Sequence, residues 1–237
     1  MPTLDGATVV ITGANGGIGR ELVSQALERG ARKVYATARV PQAWSDARIV
    51  PLALDVTDPV SVAAAADAAS DATVLINNAG ANPPTASLID IDDAALDATF
   101  AVNFFGPVRV ARAFAPVLTG RAGAAIVDIH SIGSWYAYGG AYSAAKAALW
   151  SATNSLRLEL APRGVHVLGV HMSYVDTPMA AHAGGDKLTP ADLVGQVLDG
   201  LEADRFEVLA DEATRRVRAG LAAPVEELYP ELSGGRS

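Results

Sequence analysis

The chain has no cysteine, which excludes disulfides, thiolate nucleophiles and cysteine-held zinc but says little about compartment. Positive charge is scarce: 18 Lys and Arg stand against 26 Asp and Glu, a formal net charge of −8. A surface of that sign repels phosphate backbones and argues against nucleic-acid binding. No apolar run approaches membrane-spanning length. Met1-Pro2-Thr3-Leu4-Asp5 leads almost directly into a strand pattern, without the basic start and apolar stretch of a signal peptide. The expectation is a cytoplasmic protein that binds neither nucleic acid nor membrane. Repeats, low-complexity tracts and linkers are also missing, so the 237 residues are expected to form one domain, 1–237, around a continuous core. His130, His166, His171 and His182 show no metal-ligand spacing, and His166 and His171 would face opposite sides of one strand. No metal is expected.

Half of the residues are hydrophobic, the composition of a globular protein. Short Val- and Ile-rich runs mark strands at 7–12, 33–38, 48–54, 73–77, 124–129, 165–170 and 206–209. Most are too uniformly apolar to be half-exposed, as expected where helices cover both faces of a parallel sheet. Helical patterns fall between them at 17–29, 58–69, 92–118, 140–160 and 190–202. Asp58 and Asp92 stand as N-caps, and Gly30 and Gly164 where helices should stop. This alternation predicts an α/β fold: a doubly wound Rossmann-type domain with a parallel seven-stranded sheet. A charged helix at 211–222 and a tail at 224–232 follow, and Ser233-Gly234-Gly235-Arg236-Ser237 is expected to fray.

The first strand runs into Thr12-Gly13-Ala14-Asn15-Gly16-Gly17-Ile18-Gly19 and then a helix. Gly13 lets the chain turn off the strand, Gly17 lets backbone approach a pyrophosphate, and Gly19 lets helix and sheet pack closely. The helix N-terminus offers free N–H groups and a positive dipole end to phosphates. Tyr142 and Lys146 lie four apart on a helix and share one face. A phenol with its ordinary pKa near 10 is a poor proton shuttle at neutral pH, and lowering it by about 3 units takes roughly 4 kcal/mol. A neighbouring ammonium is expected to supply part of that.

The glycine spacing, together with Asn77-Asn78-Ala79-Gly80, Leu54-Asp55-Val56 and Tyr142-Ser143-Ala144-Ala145-Lys146, resembles the short-chain dehydrogenase/reductase family over about residues 7–205. The resemblance implies an oxidoreductase that moves a hydride between a nicotinamide cofactor and a carbonyl or alcohol. It implies cofactor contacts at Thr12, Gly13, Asn15, Gly17, Ile18, Gly19, Asn78, Ala79 and Gly80. Asp55 and Val56 would meet adenine, Val175 and Thr177 the nicotinamide carboxamide, and Lys146 the nicotinamide ribose. Ala38 stands where members selective for NAD carry an acidic residue, and Arg39 beside it can pair with a 2′-phosphate. NADP(H) is therefore expected over NAD(H), although the glycine loop carries no second basic residue. Tyr142 would give and take the proton, Ser131 would hold the substrate oxygen, and Asn103 would anchor a water behind Lys146.

Three features depart from the family pattern. Ser131 and Tyr142 are 11 positions apart, slightly closer than usual. Met172-Ser173 replaces the usual Pro-Gly after the sixth strand, and the glycine-rich last strand is absent. Ile132, Ser134, Trp135, Tyr138, Met172, Tyr174 and Met179 are expected to line an apolar, aromatic pocket for a hydrophobic ketone or aldehyde. Residues 180–189 would close over it as a mobile lid. A homodimer through helices 92–118 and 140–160 is expected, with a tetramer possible. The alternative is a non-catalytic NADP-binding sensor on the same fold. The chain is too short to carry the C-terminal substrate domain of the longer related epimerases and dehydratases.

Overall fold

The computed structural model describes residues 1–232; the expected frayed end, 233–237, lies outside the described residues. Among the described residues, seven strands form one parallel sheet in the order β3-β2-β1-β4-β5-β6-β7. They are β1 (Thr8–Thr12), β2 (Lys33–Ala38), β3 (Ile49–Ala53), β4 (Val74–Asn77), β5 (Ala125–Ile129), β6 (His166–His171) and β7 (Glu207–Leu209). The helices are α1 (Gly17–Glu28), α2 (Pro59–Ala68), α3 (Asp93–Phe100), α4 (Gly106–Leu118), α5 (Ala141–Leu160), α6 (Pro190–Glu202), α7 (Glu212–Gly220) and a single turn, α8 (Val225–Leu228).

The strands read as continuous apolar runs because both of their faces are covered. Val9 and Ile11 of β1, Val74 and Ile76 of β4, and Val127 and Ile129 of β5 turn to one side. There they meet Leu22 and Val23 of α1 and Leu193, Val197 and Leu201 of α6. Val10, Leu75 and Ile126, one residue out of phase, face Val62 of α2 and Val110 and Phe114 of α4. Truncating a fully buried Leu or Ile among these, such as Ile11, Leu22 or Leu75, to alanine should cost roughly 2–5 kcal/mol. Asp58 and Asp92 cap α2 and α3 as expected, Asp58 accepting the Val60 and Ser61 N–H groups and Asp92 that of Ala95.

One expected helix, 92–118, is interrupted. A π-type turn, Ala101–Phe105, separates α3 from α4, and the Gly106 amide donates to the Ala101 carbonyl five residues back. Pro107, four residues after Asn103, has no N–H to offer it. The Asn103 amide meanwhile bonds outside its own helix, donating to the Ala81 carbonyl (2.8 Å) and accepting the Ala81 N–H (3.1 Å).

After β3 the chain returns to pair β4 with β1, so the winding reverses there. In such sheets the crevice beyond the carboxyl ends of the strands at the reversal is where ligands bind.

Candidate active site

A cleft of about 1760 Å³ opens at that point. Thr12 closes β1, and its Oγ1 accepts the amide N–H groups of Asn78 (2.9 Å) and Ala79 (3.0 Å). Asn78 Nδ2 answers by donating to the Thr12 carbonyl (2.9 Å). These bonds fasten the segment after β4 to the glycine loop. Thr12 itself is only 1% exposed and lies beneath the cleft, not among its lining residues. Gly13, Asn15, Gly17, Ile18, Gly19, Ala38, Arg39, Asp55, Val56, Asn78, Ala79, Gly80, Val175 and Thr177 do line it.

A methyl group on Gly19 would sit 2.2 Å from the Gly13 carbonyl oxygen, so only glycine lets α1 begin directly under the loop. Gly16, at the N-cap, brings no side chain to the helix end, and residues 17–20 carry no carboxylate. The N–H groups and dipole of α1 are thus open to an anion. Arg39 is exposed along the same wall. Sequence reasoning missed Arg20, one turn into α1, which also lines the cleft. Its guanidinium lies 5.5 Å from the Trp44 ring centroid and donates to Gln42 and to the Asn15 carbonyl, beside the segment that follows Arg39. Asp55 accepts the hydroxyl and amide of Thr57 (2.7 and 2.9 Å). Those bonds, with Arg39 nearby, hold its carboxyl below the usual range.

At the other end of the cleft, Ser131 leaves β5 in extended backbone, and its Oγ accepts the Gly133 N–H at 3.0 Å. Helix α5 starts at Gly140, where φ is +52° and a methyl group would meet the Ala86 carbonyl oxygen at 2.1 Å. Tyr142 therefore falls in the first turn, with Lys146 one turn below it. Lys146 Nζ donates to the Ile129 carbonyl (2.7 Å) and lies 5.8 Å from the centre of the Tyr142 ring. Ser131, Tyr142 and Lys146 all line the cleft.

Burial pulls the Lys146 pKa down to about 8, opposed by the Asp128 carboxylate. Asp128, also missed in the sequence, is a fully buried acid on β5 whose own pKa burial raises. It accepts Asn77 Nδ2 (2.9 Å) and the Thr153 hydroxyl (2.7 Å), which favour the ionised form against that rise. Burial pushes Tyr142 up to about 12, with the Ser131 hydroxyl offsetting part of the rise. The expectation that Lys146 lowers the phenol is corrected to this extent: from the protein's own groups, desolvation wins. Asn103 is 0% exposed beneath the cleft, tied to Ala81 and to the Thr99 carbonyl (2.9 Å).

Tyr138, Met172, Tyr174 and Met179 line the cleft, whereas Ile132, Ser134 and Trp135 are buried away from it. Trp135 stacks on His171 at 3.9 Å, meets Trp150 edge-on at 5.8 Å, and has Arg218 of α7 5.3 Å from its ring centroid. This packing turns the start of the shortened loop inward. Burial drives His171 to a pKa of about 3. The ring is then neutral, and its Nδ1 donates to the Ser131 carbonyl at 3.2 Å. His130, stacked on His171 at 4.6 Å, is likewise held well below its ordinary pKa by burial. Residues 180–189, the expected lid, are pinned at the base by a Val175–Leu188 bridge, and Met179, Ala180 and His182 reach the cleft. Among the described residues, no helix is long and apolar enough to cross a membrane.

A reversal-point cleft that joins an open, glycine-lined helix end to a Ser–Tyr–Lys set defines a Rossmann-type dinucleotide site. The chain belongs to the short-chain dehydrogenase family, whose model matches residues 7–187. It is 39% identical over 180 residues to the NADPH-dependent 1-acyldihydroxyacetone phosphate reductase of Schizosaccharomyces pombe, covering 71% of this chain and 60% of that one. The chain spans between 60% and 66% of the length of several curated relatives that it matches. A short-chain dehydrogenase from Burkholderia cenocepacia, solved in complex with NADP, superposes with a TM-score of 0.90 at 36% identity, covering 97% of this chain and 99% of that chain. A short-chain dehydrogenase/reductase from Burkholderia phymatum in complex with NAD has a TM-score of 0.83 at 24% identity, covering 98% and 97%, and shares the fold.

Proposed function

We propose that the chain is a cytoplasmic oxidoreductase that interconverts a hydrophobic ketone or aldehyde with its alcohol, prefers NADP(H) over NAD(H), and uses Tyr142 as acid and base. One observation carries this reading: Ser131, Tyr142 and Lys146 line the same cleft as the glycine loop and Arg39.

The residues present fit a nicotinamide dinucleotide. The uncapped end of α1 suits a pyrophosphate, and the ionised Asp55 suits the adenine amino group. Arg39, with Arg20 beside it, suits a 2′-phosphate, and the NADPH-dependent relative from Schizosaccharomyces pombe supports the same preference. Lys146 would hold the nicotinamide ribose, and Val175 and Thr177 its carboxamide. When bound, the dinucleotide supplies or takes up the hydride. Tyr142 gives its phenolic proton to the carbonyl oxygen during reduction and takes it back during oxidation. Its high pKa in the protein alone suits the donor role; proton uptake during oxidation needs further positive charge near the phenol. Ser131 fixes the substrate oxygen, and Met172 and Met179 favour an apolar frame. Phe105, at the end of the π-type turn before α4, and Leu158 on α5, 51% and 79% exposed, favour pairing of two chains there.

The test is a panel of aryl and cyclic ketones, aldehydes and their alcohols, followed by NADPH absorbance. NADPH consumption faster than NADH consumption is expected with at least one class. Binding of NADPH without turnover of any carbonyl or alcohol would overturn the proposal.

A further inference from the structure

The last strand and the helix after it carry charges that the proposed reaction does not use, and both lie beyond the residues matched by the family model. Glu207 opens β7, and Arg218 stands in the last turn of α7. Arg218 pairs with Glu207 Oε2 at 3.6 Å and lies over the Trp135 and Trp150 rings, 5.3 and 5.9 Å from their centroids. Glu207 Oε1 accepts the Trp150 Nε1–H at 3.3 Å and faces His171 Nε2 at 4.0 Å.

His171 is where these charges meet the site. Its ring is buried and stacks on both His130 and Trp135. Burial keeps it neutral, so it carries one N–H. On Nδ1, that N–H donates to the Ser131 carbonyl at 3.2 Å, beside the Ser134 N–H on the same oxygen at 3.0 Å. On Nε2, which has no hydrogen-bond partner among the described residues, it would point to the Glu207 carboxylate instead. The Ser131 carbonyl and Glu207 thus compete for one proton. A charge-assisted bond is roughly twice as strong as a neutral one, so a bare carboxylate would win. Arg218 on one oxygen and Trp150 on the other occupy the carboxylate, and the guanidinium neutralises its charge.

We propose that Arg218 is a positioning residue: by pairing with Glu207 it holds His171 as the Nδ1–H tautomer, whose bond to the Ser131 carbonyl fixes the residue that binds the substrate oxygen. The effect on turnover rests on the oxidoreductase reading; the control of the tautomer does not.

The test uses protein with isotope-labelled histidine, in which nitrogen NMR shifts distinguish N–H from bare ring nitrogen and His171→Asn identifies the signal. The wild type and Arg218→Lys, which keeps the charge, should carry the proton on Nδ1. Arg218→Gln should move it to Nε2, and adding Glu207→Gln to that variant should return it to Nδ1. With a ketone that the wild type reduces, kcat should fall about fivefold in Arg218→Gln, the worth of one ordinary hydrogen bond, and recover in the double variant. NADPH binding should stay unchanged throughout, and melting curves confirm that each variant is folded. A role for Arg218 in helix packing alone would give no recovery when Glu207 is changed as well. A proton on Nε2 in the wild type, an unmoved proton in Arg218→Gln, or a moved proton with unchanged kcat overturns the proposal. The expected tautomers without turnover of any ketone by the wild type keep the control of His171 and reject the oxidoreductase reading.

Discussion

Replacing Asp128 with asparagine should move the alkaline limb of activity. Lys146 has an ordinary pKa of 10.5 that burial brings to about 8, with Asp128 the group that resists the fall. That depression corresponds to roughly 3 kcal/mol. Asp128→Asn keeps the shape and the acceptor for Asn77 but removes the charge, so desolvation of Lys146 goes less opposed and its pKa falls further. The ammonium is present below its pKa and lost above it, so activity that needs the charge should fail at lower pH in the variant. Each additional unit of depression costs about 1.4 kcal/mol and shifts the limb by one pH unit. For a one-unit shift, the charged fraction at pH 8 falls about fivefold, while at pH 6 it changes by only about a tenth. The assay is kcat for alcohol oxidation, the direction in which the phenol needs positive charge beside it, against pH at saturating NADP⁺, with folding checked by circular dichroism. A pH-independent loss, or an unmoved limb, would refute the claim that Asp128 maintains the Lys146 charge.

Arg39→Ala should weaken NADPH binding roughly tenfold or more, since charge-assisted contacts are worth about 1.5–3 kcal/mol, and change NADH binding far less; equal losses in fluorescence titrations would make Arg39 structural. His171 takes up a proton near pH 6.5 when unfolded but only near pH 3 when folded. The unfolded state therefore binds more protons throughout that window, and stability falls as pH falls. Between pH 7 and pH 5 this contributes about 2 kcal/mol of lost stability. His171→Asn, which keeps a donor for the Ser131 carbonyl, should lose about that much less in urea unfolding over the same interval; identical pH dependence would contradict the assignment.

The sheet was legible because strands covered on both faces leave an unbroken apolar signature, and β2 and α6 match the expected bounds. The glycine loop and the Tyr142–Lys146 spacing were legible because local geometry forces them. The break at Ala101–Phe105 left no trace in the hydrophobic periodicity, since its partner Ala81 lies 22 residues away in the chain. Trp135 was misread for the same kind of reason. Its direction is set by His171 on β6, Trp150 on α5 and Arg218 on α7, and an aromatic in a loop looks alike whether it faces a cleft or a core. Asp128 went unremarked because a single acid near a strand end resembles an ordinary boundary residue; only the fold buries it between Asn77, Thr153 and Lys146.

The proton donor is the centre of the account, and Tyr142→Phe tests it most directly. The substitution keeps the ring at the start of α5 and removes only the hydroxyl. The measurement is single-turnover reduction of a ketone that the wild type accepts, across pH 6–9, with NADPH binding determined separately. The account predicts a variant that folds, binds NADPH and reduces the ketone roughly 10²–10⁴-fold more slowly. Reduction within tenfold of the wild-type rate, with the same dependence on pH, would contradict it.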